Sequence, residues 1–188
     1  SSLQDFGEIL YLLTCGAGVG FSCERHVVSR LPTVQPQKNE KLSTHVVEDS
    51  REGWADSLVL GLKTWYAGKD IDFDYSAIRP AGARLKTMGG RASGYLPLKG
   101  LLDFTRDRVL QRQTQQLRPI DVHDIICKIG DIVVMGGVRR SSEISLSDLD
   151  DHDMRNAKSG GFWTDNPQRS MAYNSVAYKD KPKQAEFM

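Results

Sequence analysis

The chain has 188 residues, of which 39% are hydrophobic and 26% charged, as in an ordinary globular protein of one domain or a large part of one. Its 25 basic and 24 acidic side chains give a net charge of +1, which argues against a general nucleic-acid binder. No apolar run approaches the ~20 residues of a membrane span, and three cysteines without framework spacing indicate a reducing cytoplasm.

The first predicted element is an amphipathic helix, whose apolar residues recur at helical spacing: Leu3, Phe6, Ile9, Leu10 and Leu13. It runs into Gly16-Ala-Gly-Val-Gly-Phe-Ser22, whose alternating glycines are incompatible with a continued helix. This run forms either a strand whose inner face admits something close, or a helix C-cap followed by a tight turn. It is a poor dinucleotide fingerprint because it follows a helix, not a strand.

The next stretch predicts a loop, a helix and a short strand. Residues 32–48 are polar and contain two prolines, which is typical of a flexible loop. Asp49 with Glu52 three residues later forms the pattern of a capping box. We expect the helix that follows to end near Gly68, and residues 70–75 to form a strand.

Residues 78–98 show neither helical nor strand periodicity. They contain four glycines and two prolines, and the segment has four cations without an acid: Arg79, Arg84, Lys86 and Arg91. Small residues and cations on a loop that leads into a helix indicate a surface that receives an anion, most plausibly a phosphate. The alternative is a long basic surface loop without a ligand.

The remaining sequence predicts two longer helices and then shorter elements. Pro97 suits the first turn of one helix, and Asp121 can cap the next, which we expect to end at Gly136-Gly137. Residues 141–146 and 172–178 have strand patterns, and a short polar helix is predicted at 150–158. This alternation of helices and strands predicts an α/β fold with largely parallel strands.

Other clusters give weaker signals. Asp148, Asp150, Asp151 and Asp153 resemble a calcium loop, but the required glycine and closing glutamate are absent, so we expect no metal site. Arg139-Arg140 could grip a phosphate or pair with these acids, and we favour the pairing. Cys127 is predicted to be a core residue, whereas Cys15 and Cys23 could be exposed.

Several runs, taken in order, resemble the catalytic chain of ribonucleotide reductases, and most of all the adenosylcobalamin-dependent class. The runs are Gly16-Ala-Gly-Val-Gly-Phe-Ser22, Asp49-Ser-Arg-Glu-Gly-Trp54, Ile78-Arg-Pro-Ala-Gly-Ala-Arg-Leu-Lys-Thr-Met-Gly-Gly-Arg-Ala-Ser-Gly94, Asp124-Ile-Ile-Cys-Lys-Ile-Gly130, Gly137-Val-Arg-Arg-Ser-Ser-Glu-Ile-Ser-Leu146 and Asn174-Ser-Val-Ala177. Each run alone is weak, but six in register are specific.

The resemblance implies that residues 1–188 form a single segment, the first half of a ten-stranded α/β barrel in which radical chemistry replaces the ribose 2′-hydroxyl with hydrogen. Ala17 and Gly18 would lie against the ribonucleotide substrate. The 78–94 segment would be the specificity loop that responds to a deoxynucleoside triphosphate effector. Its expected contact residues are Arg84, Lys86 and Arg91. The polar segment that contains Arg25 and Arg30 would form the effector-site loop.

The family's radical cysteine, redox cysteine pair and substrate phosphate turn have no counterpart here, and Cys15, Cys23 and Cys127 do not take those roles. We therefore expect a segment that is inactive alone. Its partners would be the remainder of the catalytic chain and, in dimeric members, a second copy, but no membrane or nucleic acid. Adenosylcobalamin would bind mostly outside it. The alternative is a stand-alone nucleotide-binding regulatory module.

Overall fold

The computed structural model describes residues 2–85, 90–135, 142–178 and 180–186. The longer helices are α1 (Leu3–Thr14), α3 (Arg51–Tyr66), α4 (Leu96–Leu110) and α5 (Pro119–Met135), and the short ones are α2 (Arg25–Val28), α6 (His152–Arg155) and α7 (Phe162–Asp165). The strands are β1 (Gly18–Ser22), β2 (Glu40–Lys41), β3 (His45–Val46), β4 (Lys69–Asp70), β5 (Phe73–Asp74), β6 (Ser142–Ser147) and β7 (Ala172–Val176). Two 3₁₀ turns cover Pro167–Met171 and Gln184–Glu186.

The main sheet has the order β1-β6-β7, and all of its strands are parallel. This confirms the predicted α/β class with parallel strands. Parallel neighbours need a crossover connection, and the connection from β1 to β6 contains the three long helices α3, α4 and α5. The helix α5 packs against β6 and also contacts α1 and α4, so one face of the sheet is covered by helices.

A second, smaller strand pairing ties down the segment that was predicted to be a flexible loop. The strands β2 and β3 pair in parallel with β4 and β5, respectively. Glu40 pairs with Lys69 and His45 pairs with Phe73. Between the two pairings, the 40–45 segment therefore contains one residue more than the 69–73 segment. Residues 40–47 therefore follow the 69–74 segment as an ordered ribbon.

The glycine run after α1 satisfies both interpretations offered for it. Gly16 has φ +84° and ends the helix, while Gly18 begins β1. A left-handed backbone of this kind strongly favours glycine. The glycines thus first stop a helix and then start a strand.

The N-cap of α3 lies one residue after Asp49, the residue predicted for this role. The N-cap is Ser50, whose side chain accepts a hydrogen bond from the Gly53 amide. The Asp49 carboxylate instead accepts from Arg79 Nε at 2.7 Å. Asp121 was likewise predicted as a cap, but it lies inside α5, where its carboxylate accepts from the Arg118 backbone amide.

Replacing Ser50 by alanine is expected to lower the free energy of unfolding by about 1 kcal/mol, because the Gly53 amide loses its acceptor. The matched control is Ser43→Ala, which removes an exposed hydroxyl from a loop. Chemical denaturation of both variants measures the difference. Equal stabilities of the two variants would contradict Ser50 as the cap.

A buried ion cluster fastens the C-terminal region to the helices. The Asp124 carboxylate, on α5, is fully buried and accepts hydrogen bonds from Arg169 Nε at 2.7 Å and from Arg169 Nη2 at 2.9 Å. Gln168 Nε2 donates to the same carboxylate at 3.3 Å, and Arg108 Nη2 of α4 lies 3.5 Å away. Asp124 therefore joins α4, α5 and the 3₁₀ turn before β7.

Candidate functional site

One face of the main sheet is lined by glycine and exposed apolar side chains; none of the described helices covers it, and we call it the helix-free face. Gly20 pairs with Ile144, and Ile144 pairs with Tyr173, so the three residues lie side by side on this face. Ile144 is 49% and Tyr173 74% exposed. A Cβ added at Gly20 would meet no atom within 4 Å. Packing among the described residues therefore does not require glycine there, and on their account the face is open to another molecule or chain segment.

The two residues predicted to contact substrate lie at the start of this face. Ala17 and Gly18 are both exposed, and the Ala17 amide donates to the Leu12 carbonyl. A Cβ added at Gly18 would lie 3.7 Å from Ser142, which is ordinary van der Waals contact. Their exposure is compatible with a ligand on this face but does not identify one.

The opposite face of β6 is polar and buried. The strand was correctly predicted, but Ile144 and Leu146 lie on the exposed side, and Glu143, Ser145 and Ser147 point toward α5. Neither carboxyl oxygen of Glu143 has a hydrogen-bond partner among the described residues, and the same holds for Ser145 Oγ. Burial raises the pKa of the Glu143 carboxyl to about 8. Glu143 is thus held as a neutral acid at pH 7.

A buried histidine and cysteine on α5 lie under the sheet near Glu143. Cys127 Sγ is 3.7 Å from His123 Nε2, and His123 Nε2 is 3.3 Å from the Asn174 side-chain oxygen. Burial lowers the pKa of His123 to about 4 and raises the pKa of the Cys127 thiol. The pair is therefore a neutral imidazole and a neutral thiol, not an activated nucleophile. Cys127 is a core residue as predicted, whereas Cys23, for which the sequence allowed an exposed position, is fully buried.

The sequence did not indicate that Glu143 is a buried carboxylic acid. Strict alternation along β6 was the available signal, but alternation does not indicate which side of a strand is covered.

Residues 82–85 and 90–92 run antiparallel to each other, and the segment that contains them is named here the 78–94 loop. Arg84 and Arg91 face each other in an antiparallel bridge, and backbone hydrogen bonds join Gly82 to Ala92 and Leu85 to Gly90. A Cβ added at Gly94 would lie 3.1 Å from the Ala81 amide nitrogen, so the two ends of the loop are close together. Lys86, the third predicted contact residue, lies outside the described residues.

Two arginines occupy opposed backbone positions on this loop. Arg84 and Arg91 are both exposed, and Arg91 Nη1 donates to the Gly82 carbonyl at 3.1 Å. Among the described residues no acidic side chain forms an ion pair with either of them, whereas Arg79 pairs with Asp49 at the loop's base. Like charges on opposed residues repel each other, and a bound anion would relieve this repulsion.

The other predicted effector residues lie at a different end of the molecule. Arg25 pairs with Asp148 and Asp150, which follow the carboxyl end of β6. Arg30 is exposed next to Ser29, whose carbonyl accepts from Gln116 beyond the C-terminus of α4. The 78–94 loop precedes α4, a helix of 15 residues, or about 22 Å. The structure thus does not bring Arg25 and Arg30 together with Arg84 and Arg91 within this chain.

The acidic cluster at 148–153 is accounted for by protein contacts. Asp151 caps α6 by accepting from the Met154 amide, and Asp153 pairs with Arg118. The described residues contain no group of three or more His, Cys, Asp or Glu side chains able to hold a metal ion. Arg139 and Arg140 lie outside the described residues, so their predicted pairing is untested.

A cavity of about 210 Å³ lies between α1, β1, α2 and α5, and its lining includes Phe6, Ile9, Phe21 and Val28. This is below the ~300–1,000 Å³ of typical small-molecule sites, and the lining is largely apolar. A corrin ring does not fit this cavity. None of the described helices combines the length and apolar character needed to cross a membrane.

Comparison with known proteins gives consistent matches. The family model described as "B12-dependent ribonucleotide reductase, insertion domain" matches residues 26–110. The adenosylcobalamin-dependent ribonucleoside-triphosphate reductase of Euglena gracilis is 32% identical over 167 residues, covering 87% of this chain and 22% of that protein. The corresponding Lactobacillus leichmannii protein is 32% identical over 178 residues, covering 76% of this chain and 24% of its own length.

A solved structure agrees with these sequence matches. The crystal structure of a B12-dependent (class II) ribonucleotide reductase superposes with a TM-score of 0.80 at 27% identity. The match covers 92% of this chain and 28% of that one, so the chain spans only about a quarter of such proteins. Sequence and structure therefore agree that this chain is of the adenosylcobalamin-dependent, class II type of ribonucleotide reductase catalytic chain, over the part of those proteins that it matches.

Proposed function

We propose that this chain is part of a ribonucleoside-triphosphate reductase, which makes deoxyribonucleotides by radical chemistry. The observation that carries the proposal is the similarity to named triphosphate reductases over most of the chain. In this proposal residues 1–188 supply the first half of the catalytic barrel. The remainder of the catalytic chain supplies the radical and redox cysteines and most contacts to adenosylcobalamin. This segment is therefore inactive alone. We place the complete enzyme in the cytoplasm.

The helix-free face of the main sheet is the proposed substrate wall. Ala17 and Gly18 lie at the beginning of this face. The free space above Gly20 supports the close approach of a ribose or of the rest of the barrel. The chain's own residues would exclude water and shape the wall here. Radical generation would be supplied by the bound cofactor.

The 78–94 loop is the proposed site for a deoxynucleoside triphosphate effector. Its paired arginines, Arg84 and Arg91, offer planar donors that match phosphate oxygens. The contact between Arg79 and Asp49 anchors the loop immediately before α3. A ligand held by this loop would therefore act on a helix of the core as well as on the loop itself. Arg25 and Arg30 remain proposed effector contacts, for which no shared site with the arginine pair is visible in this chain.

Replacing Arg84 or Arg91 by alanine in the complete reductase is expected to change which ribonucleotide is preferred at a given effector. The effector concentration for half-maximal response should rise about tenfold, because one charge-assisted contact is lost. Reduction of the four ribonucleoside triphosphates is measured with each deoxynucleoside triphosphate added in turn.

The control for this experiment is Arg155→Ala, which removes an exposed arginine from α6. Thermal melts should show that all three variants keep the stability of the unmodified protein. If both loop variants respond to effectors as the unmodified enzyme does, the effector role of the loop is excluded.

The alternative of a stand-alone nucleotide-binding module is not favoured, because the matched relatives named above are reductases. A possible homodimer also belongs to the proposal, with α1 and α3 near the contact between subunits. Sedimentation of the complete protein with and without effector measures this.

A further inference from the structure

A row of aromatic rings ends at the base of the 78–94 loop. The ring of His45 meets Phe73 edge-on with centroids 6.0 Å apart, and Phe73 lies 6.5 Å from Tyr75. Tyr75 then stacks on Tyr95 with centroids 5.3 Å apart and ring planes 26° from parallel. Tyr75 precedes the loop and Tyr95 follows it, so the stacked pair closes the loop at its base.

The outermost ring of the row is partly exposed. Tyr95 is 43% exposed although its ring stacks on Tyr75. Tyr75 in turn packs against the hydrophobic core, so Tyr95 is supported from the side of the core. An aromatic ring that is already supported loses little conformational freedom when a flat ligand stacks on it.

Tyr95 lies close in the chain to one arginine of the pair. Tyr95 follows Arg91 by four residues, which places their Cα atoms at most about 14 Å apart. Gly94 packs against Ala81, so the chain turns back at this point instead of extending away from the loop. The base and the terminal phosphate of a nucleoside triphosphate can therefore contact the two positions at once.

We propose that Tyr95 is the platform on which the base of a nucleoside triphosphate stacks while Arg84 and Arg91 contact its phosphates. This inference rests on the proposed effector role of the 78–94 loop and adds to it the group that recognises the base. Stacking on an aromatic ring is tolerant of base identity, because every base has a π-face. Tyr95 therefore separates nucleotides from inorganic polyphosphates, and choice among bases is left to other residues.

The test compares a ligand with a base and a ligand without one. Calorimetry on the whole chain measures binding of dATP, dTTP and inorganic tripolyphosphate to the unmodified protein and to three variants. Tyr95→Ser should weaken dATP and dTTP binding roughly tenfold and leave tripolyphosphate binding unchanged. Tyr95→Phe keeps the ring and should bind all three ligands as the unmodified chain does.

Trp163→Ser is the matched control, since Trp163 is an exposed aromatic residue on α7. Its helix lies near the C-terminal half of α4, where Arg108 donates to Asn166, and not near Tyr95. This variant should bind every ligand normally. Thermal melts verify that each variant is folded.

The outcomes separate the inference from the proposal on which it rests. If the unmodified chain binds dATP and tripolyphosphate equally tightly, or if Tyr95→Ser weakens both to the same extent, the stacking role is wrong and the anion site stands. If the unmodified chain binds none of the three ligands, the effector role of the loop fails and the stacking role fails with it.

Discussion

Replacing Asp124 by asparagine is expected to lower the free energy of unfolding by about 3–5 kcal/mol. The substitution preserves the shape of the side chain but removes the negative charge that Arg169 and Arg108 share. The Arg169 side chain is only 14% exposed, so its guanidinium would remain buried without a counter-charge. Its Nη1 contact with the Ala157 carbonyl is too weak a substitute for a carboxylate.

Urea denaturation of the unmodified chain and the Asp124→Asn variant measures this loss. Asp72→Asn is the control, because Asp72 pairs with Lys41 at the surface, where both side chains are more than half exposed. That control should change stability by less than about 1 kcal/mol. Similar losses in the two variants would show that the buried cluster does not hold the C-terminal region to α5.

Stability is expected to fall as the pH rises toward 8, and Glu143→Gln should abolish this fall. The folded protein keeps the Glu143 proton up to a pKa of about 8, whereas the unfolded chain releases it near the ordinary value of 4.5. Between these values the folded state binds the extra proton, so raising the pH favours unfolding by up to about 1.4 kcal/mol per pH unit. The stabilising contribution is complete below 4.5 and is lost by about pH 8.

His123 has the opposite effect over a lower range of pH. Its pKa is lowered to about 4 from 6.5, so protonation of the unfolded state makes stability rise with pH in that interval. The two effects oppose each other below pH 6.5. The contribution of Glu143 is therefore measured most cleanly between pH 6.5 and 8.

Urea midpoints at pH 6.5, 7.2 and 8 should decline for the unmodified chain and stay level for Glu143→Gln. At pH 8 the variant should be the more stable protein by a few kcal/mol. Glu40→Gln is the control, since Glu40 is an exposed partner of Lys69 and should leave the decline unchanged. A decline that persists in Glu143→Gln would assign it to another group.

The main helices and the α/β fold class could be predicted from sequence, because both depend on local periodicity. On α1 the spaced apolar residues Phe6, Leu10 and Leu13 are buried in the structure, as predicted. The cap of α3 was missed by one residue because Asp49 is engaged by Arg79, thirty positions away in the chain. Such long-range competition for a carboxylate leaves no trace in a local capping pattern.

The candidate site was only partly predictable for a related reason. Glycines and unpaired cations marked the β1 strand and the 78–94 loop, since both signals are local. The burial of Glu143 depends on which face of β6 is covered by α5, and the separation of Arg30 from Arg84 depends on the direction of α4. Neither can be derived without the packing of distant elements.

The close crossing of α1 and α3 has a mechanical consequence. At Gly7 an added Cβ would lie 2.5 Å from Val59 Cγ2 and 3.2 Å from the Ala55 carbonyl oxygen, so the two helices can approach this closely only because Gly7 has no side chain. Tightly packed interiors transmit displacement and do not absorb it. A displacement of Asp49 and of the start of α3 would therefore also displace α1. Because β1 follows α1 directly in the chain, its first residues would move as well.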